Sequence, residues 1–264
     1  MNINFLKLSA ADASWLLILP NQLEGDKSKL AGKLARSLCN PVEGLQSSGI
    51  IVPELGDGMP VMRIFSRYGL PLKRAGSACL AASRWLLDNG LTDHERVVFE
   101  SFSGIVEIIP IDMRFLGMEI QPGILDGQLR RQGIPPASGI SNKLYLGSLE
   151  GDTGETKVRV TLWDGPIPSR LHLKVFMGSS AHIPEVHAGI FSREALSVAV
   201  FNADPVDAAA LALQASIQTG YTADELTVQY KKVQLLAQKD SENKIFIGAE
   251  ARYSIKGEYW FPEE

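Results

Sequence analysis

Two stretches, RAGSACLAASRWLLDNGL and PVDAAALALQASIQTGY, constrain the fold most. Each reads as a helix that opens on small residues, runs on almost wholly apolar and ends at a glycine, Gly90 or Gly220, where a left-handed C-terminal cap belongs. A helix with so little polar surface has to be enclosed by other elements, and the flanking segments supply strands to do it. Before the first helix, Ile50–Val52 and Val61–Phe65 alternate as strands around the turn-rich Leu55-Gly56-Asp57-Gly58; after it, Val97–Glu100 and Gly104–Ile109 form a hairpin. Before the second helix comes the strand Leu196–Phe201 and the loop Asn202–Asp204; after it, Leu226–Ala237 and Lys244–Tyr253 resume the alternating pattern. Identity between the halves is low, so a repeat rests on the order of elements. Two readings stand side by side at this level: an internal duplication giving two similar lobes, and an α+β domain whose halves are alike by coincidence.

The amino-terminal segment fits the same economy. Asn2–Leu8 alternates, Ala13–Leu19 is an apolar run ended by Pro20, and together they read as an antiparallel pair. Asp26 caps a helix over Lys27–Leu38, in which Leu30, Leu34 and Leu38 form one apolar stripe. The 264 residues are 45% hydrophobic and 21% charged, an ordinary globular composition, and the net charge of −4 leaves no broad basic footprint for a nucleic-acid backbone. The opening apolar run is too short for a secretory core or a membrane span, which points to a cytoplasmic protein with no membrane partner. Cys39 and Cys79 lie far apart without metal-ligand spacing and read as two reduced, buried thiols.

Several motifs, in order along nearly the whole chain, resemble the diaminopimelate epimerase and PhzF family. Met62-Arg63-Ile64-Phe65 matches the strand before the epimerases' central helix. Ala75-Gly76-Ser77-Ala78 stands where the epimerases have Cys-Gly-Asn-Gly, and AGSACLAAS is similar to the PhzF motif Cys-Gly-His-Ala-Thr-Leu-Ala-Ala. Gly44-Leu45-Gln46-Ser47-Ser48-Gly49 resembles Gly-Ile-Gly-Ala-Asp-Gly, with Ser48 where PhzF enzymes carry their acid-base glutamate. Met177–His182 is similar to Met-Gly-Asn-Pro-His with one residue inserted, and Asp204-Pro205-Val206-Asp207 to Asp-Pro-Val-Thr-Gly-Ser. Ile245–Ala251 through Gly257-Glu258 resembles the closing strands of the PhzF branch.

The resemblance implies an α+β fold of two pseudo-symmetric lobes, each a mixed or antiparallel sheet wrapped around a central helix. It places the first lobe at residues 1–118 and the second at 119–264, with the last strand crossing back to the first. It also implies a cofactor-independent isomerase or epimerase that takes a small amino or carboxylic acid in a cleft between the lobes, and pairing with a second copy.

The departures fall on the chemistry. Inverting an α-carbon without a cofactor needs one group to remove a proton from one face and another to deliver one to the opposite face. The epimerases use two thiols; here Ala75 replaces the first, the second falls at or near Asp207, and the substrate-side asparagines are replaced at Ala13 and Ser66. Cys79, a turn into the helix, reads as a small core residue. A one-base reaction of the PhzF kind leaves Asp207, Asp204 or His182 as the acid-base group, yet Asp204 before Pro205 is also an ordinary helix cap, Asp207 an ordinary first-turn acid and His182 an ordinary loop residue. His182 and His187 flank Pro184 without an evident third ligand, so no metal site is expected. Gly76, Ser77 and Ala78, with Ser48 and Ser66 nearby, are the ligand-binding candidates, because a helix start of small residues lets a carboxylate approach backbone N–H groups. Lys73 and Arg74 beside it are surface cations that an acidic ligand would meet. Three functions remain at this stage: an isomerase with a changed acid-base set, an inactive relative kept as a ligand-binding or partner subunit, and an interaction protein that kept only the fold.

Overall fold

A computed structural model describes residues 1–23, 27–73, 75–121, 124–130, 140–141, 143–152, 157–177 and 183–261. The chain divides into two compact units, Met1–Met118 with Ala249–Glu264, and Glu119–Gly248.

The first unit runs β1 (Asn2–Ala10), β2 (Ala13–Ile18), α1 (Lys27–Leu38), β3 (Gly49–Glu54), β4 (Val61–Ser66), α2 (Gly76–Asp88), β5 (Val97–Ser101), β6 (Gly104–Pro110) and β7 (Phe115–Ile120). The second runs β8 (Ile124–Arg130), β9 (Tyr145–Asp152), β10 (Lys157–Asp164), α3 (Arg170–Met177), β11 (Glu185–Ser192), β12 (Ala195–Phe201), α4 (Pro205–Gln218), β13 (Glu225–Tyr230) and β14 (Val233–Lys239). The long β15 (Ile245–Trp260) pairs first with β14, over Ile245–Gly248, and then with β1, over Ala251–Trp260.

The pairing rules of the two units are the same. In the first, β2 and β3 are parallel, as are β4 and β5, and the neighbouring pairs β1–β2, β3–β4 and β5–β6 are antiparallel. In the second, β10–β11 and β12–β13 are parallel, and β9–β10, β11–β12 and β13–β14 antiparallel. Parallel neighbours need a long crossover, and each parallel pair has a helix for it: α1, α2, α3 and α4 in turn. In the first unit the strands close into a barrel: β7 joins β15, where Ala251 N–H donates to the Arg114 carbonyl, and β15 returns to β1. Closure leaves no free edge.

Each sheet wraps an apolar helix. α2 packs against β1, β2, β5 and β6, and α4 against β10, β11, β12 and β14. Eleven of the residues of α2 are buried, from Gly76 round to Leu87, as its composition requires. Both helices end alike. Gly90 and Gly220 take positive φ, +63° and +77°. Leu91 N–H then reaches the Leu86 carbonyl, and Tyr221 N–H the Ser216 carbonyl, each closing the last turn. α1 lies on β3 and β4 and buries Leu34 and Leu38 with Ile3, Phe5, Leu16, Ile18, Ile50, Val52 and Phe65.

The sequence expectations hold for β1–β6, α1, α2, β12 and α4, with ends displaced by a residue or two. Leu226–Ala237 proves to be a hairpin, because Lys231 takes φ +49° and turns the chain between β13 and β14. Asp26, the expected cap of α1, lies outside the described residues.

Candidate functional site

The start of α2 carries three of the first unit's candidate residues, Gly76, Ser77 and Ala78. Ala75 is the N-cap, with φ −163° and ψ 76°, and contributes no side-chain cap. Ala78 and Cys79 N–H both turn back to the Ala75 carbonyl at 3.0 Å. The backbone donors at the very start of the helix are those of Gly76 and Ser77, which no intrahelical carbonyl can reach. No acidic residue stands in this first turn, so nothing in the helix offsets the positive end of its dipole. Gly76, Ser77 and Ala78 are all buried.

What holds this turn in place is an indole. Trp15, on β2, donates from Nε1 to Ser77 Oγ at 2.9 Å, with both side chains buried. The ring passes over Gly49, its partner on β3, so closely that a Cβ there would lie 2.7 Å from Trp15 Cζ3 and 2.0 Å from the Phe65 carbonyl oxygen. Glycine is the residue that fits. Nothing in the sequence marked Trp15: a tryptophan in an apolar strand reads as core, and its N–H finds a partner only once β2 is laid beside α2.

Ser48 and Ser66 lie at the same ends of β3 and β4. Ser48 is exposed; its N–H donates to the Ser14 carbonyl and its own carbonyl accepts from Arg67 N–H. Ser66 Oγ accepts from Leu70 N–H at 3.2 Å, so this hydroxyl serves the turn that follows β4. Lys73 is exposed beyond that turn, and Arg74 lies outside the described residues.

The matching start of α4 is of opposite electrostatic character. Asp204 is the N-cap, its Oδ1 accepting from Val206 N–H at 2.9 Å, with Pro205 opening the helix. Asp207 follows in the first turn, half-buried. Two carboxylates therefore stand at this positive helix end, where α2 has none. Ser48 and Ser66 thus lie at neighbouring ends of β3 and β4, Gly76–Ala78 open α2, and Asp204 and Asp207 stand at the start of α4. His182 lies outside the described residues.

Both thiols are buried. Cys79 is buried one turn into α2, and Cys39 is buried beyond the end of α1, where burial pushes its thiol up to about 12 against the pull of Lys7 and Arg67. Among the described residues no three His, Cys, Asp or Glu side chains come together as a metal set.

No family model and no curated sequence matches the chain. Solved structures do. A Bacillus anthracis phenazine biosynthesis protein of the PhzF family matches with TM-score 0.68 at 14% identity, over 99% of this chain and 100% of that one. This chain has the PhzF-type fold. An Enterococcus faecalis protein of the same family matches at TM-score 0.66 and 14% identity, over 99% and 100%. A hydroxyproline epimerase from Agrobacterium vitis, solved with trans-4-hydroxy-L-proline bound, matches at 0.63 and 10%, over 97% and 92%. The PhzF-type fold accounts for the barrel around α2 and for the like order of the two units. Among the described residues no helix is long and apolar enough to cross a membrane.

Proposed function

We propose that this protein binds a small amino or carboxylic acid through the first turn of α2, in a PhzF-type isomerase fold from which the two-thiol mechanism has been lost. The observation that carries this reading is the contrast between the two central helix starts. The start of α2 has small residues, backbone donors and no acid of its own; the start of α4 carries Asp204 and Asp207. A carboxylate is therefore favoured at α2 and opposed at α4. Ala75 can neither take nor give a proton, and the burial of Cys39 and Cys79 argues against either standing in for it. The protein is read as cytoplasmic, able to pair with a second copy, and derived from an internal duplication; the two Schellman-type helix ends support that last point.

The alternative with a specific residue behind it is a one-base isomerase. In that case Asp207, or failing it Asp204 or His182, takes the α-proton of the bound acid and returns it, with no net gain or loss of protons. Asp204 is the poorer of the first two, since its carboxylate already caps α4.

Proton NMR in deuterated buffer separates these readings across a panel of amino and hydroxy acids that includes diaminopimelate and hydroxyproline. Binding detected by thermal shift, with no loss of any α-hydrogen signal, is the expected result. Exchange that disappears in Asp207→Asn with the fold intact would establish the one-base isomerase instead. An absence of both binding and exchange would overturn the ligand-binding reading and leave an interaction protein that kept the fold.

A further inference from the structure

The outer layers of the two units differ in a way that the candidate site does not use. In the first unit, the parallel pair β2–β3 presents Leu16, Ile18, Ile50 and Val52 to α1, an apolar layer throughout. In the second, the parallel pair β10–β11 sets Arg159 beside Glu185 and Thr161 beside His187. Glu185 and His187 are completely buried. Burying two ionisable groups is costly unless their bonds are made, and here they are made only in part.

Trp163 Nε1 donates to His187 Nδ1 at 3.3 Å. An indole N–H cannot accept, so Nδ1 must be the unprotonated nitrogen, which places the proton of a neutral imidazole on Nε2. Nε2 lies 3.4 Å from Glu185 Oε2, and neither atom has a hydrogen-bond partner among the described residues. The other carboxylate oxygen, Oε1, accepts from Arg159 Nη1 at 3.1 Å, and Arg159 Nη2 continues to Glu150 at 3.0 Å.

Trp163 is also the ring on which α3 docks. It lies 5.5 Å from Phe176 and 5.4 Å from Tyr145, and shares a buried cluster with Tyr145 and Leu173. His187 itself lies between Phe176 of α3, at 6.4 Å, and Phe201 of β12, at 5.7 Å. The charged and titratable groups around it are thus Glu185 from β11, Arg159 from β10, and Glu150 and Tyr145 from β9. β12 sets Ala199 opposite it and Phe201 against its ring, neither of them titratable; α3 contributes Arg170, stacked over the Phe201 ring, while its His172 and Lys174 are exposed.

We propose that His187 is a proton-operated latch on α3. A proton taken from solvent onto Nδ1 fills the lone pair that accepts from Trp163, and two N–H donors then face each other. The Trp163–His187 bond is lost, the new imidazolium turns its charge to Glu185, and the indole must move. Because Leu173 and Phe176 pack on that indole, α3 loosens from β10 and β11 while α1, seated on an apolar layer, does not.

The test is native-state hydrogen exchange of the full chain, followed by NMR with the His187 imidazole nitrogens observed in the same samples. As the imidazole protonates, exchange of the α3 amides, corrected for intrinsic rates, should rise about tenfold or more relative to α1, the loss expected of one buried bond. His187→Asn places an amide oxygen where Nδ1 stands, an acceptor that does not titrate, and should hold α3 exchange level with pH. Trp163→Phe, which has no N–H to expel, should also flatten the response. The proposal is overturned if α3 protection stays constant while the imidazole titrates, if His187 remains neutral until the second unit unfolds, or if the pH response persists in His187→Asn. The wild-type titration decides the matter even if a variant does not fold.

Discussion

If Trp15 is the brace of the first turn of α2, removing both ends of its bond to Ser77 must cost less than the sum of removing each end alone. Trp15→Phe deletes the N–H, leaves Ser77 Oγ short of its buried donor, and opens the space of the five-membered ring; together these should cost about 2–4 kcal/mol. Ser77→Ala leaves the indole N–H buried without an acceptor, at about 1–3 kcal/mol. The double variant has no orphaned donor from this pair, so its loss should fall short of the sum by about 1–2 kcal/mol. Chemical denaturation of the wild type, both single variants and the double variant gives the coupling directly, and each kcal/mol should also appear as roughly 2–4 °C in Tm. The bond is 2.9 Å long and both side chains are buried, so solvent cannot replace the lost partner. Losses that add to within about 0.5 kcal/mol would refute the reasoning, because independent sites add to that precision.

Two further predictions concern the helix ends and the thiols. Asp204→Ala should cost about 1 kcal/mol of stability by removing the acceptor for Val206 N–H, while Asp204→Asn should retain most of it; equal losses in the two, measured by denaturant titration, would show that charge rather than capping matters there. Burial holds the Cys39 thiol at about 12 against an ordinary 9.0, so the folded protein keeps this proton where the unfolded chain gives it up. Stability from this source is therefore fully present below pH 9 and falls as the pH rises from 9 toward 12. Cys39→Val should make the alkaline part of the denaturation midpoint curve shallower, and an unchanged curve would contradict the assignment.

How much was legible in the sequence varied along the chain for a physical reason. α2 and α4 declared themselves because a helix buried on every side needs small and apolar residues at every position, a local signal that no tertiary information is required to read. Their ends were legible for the same reason, since Gly90 and Gly220 satisfy a backbone conformation, not a distant contact. The region from β7 to β11 gave no such signal. Its strands carry Thr161, Glu185 and His187 in the interior, with Arg159 partly buried beside them, which interrupts the alternation of apolar and polar residues by which a half-buried strand is recognised.

The candidate site divides along the same line. From the sequence alone came the small-residue start of α2, the alanine at position 75, and the two carboxylates at the start of α4, all properties of residues near one another in the chain. Only the tertiary structure decided that Trp15 reaches across to Ser77, 62 residues away, that Ser66 commits its hydroxyl to a turn, and that His187 meets Trp163 and Glu185. Composition and spacing fix what a segment can bury, because burial is set by the side chains themselves. Which donor meets which acceptor is set by strand register, and register exists only when the strands are paired.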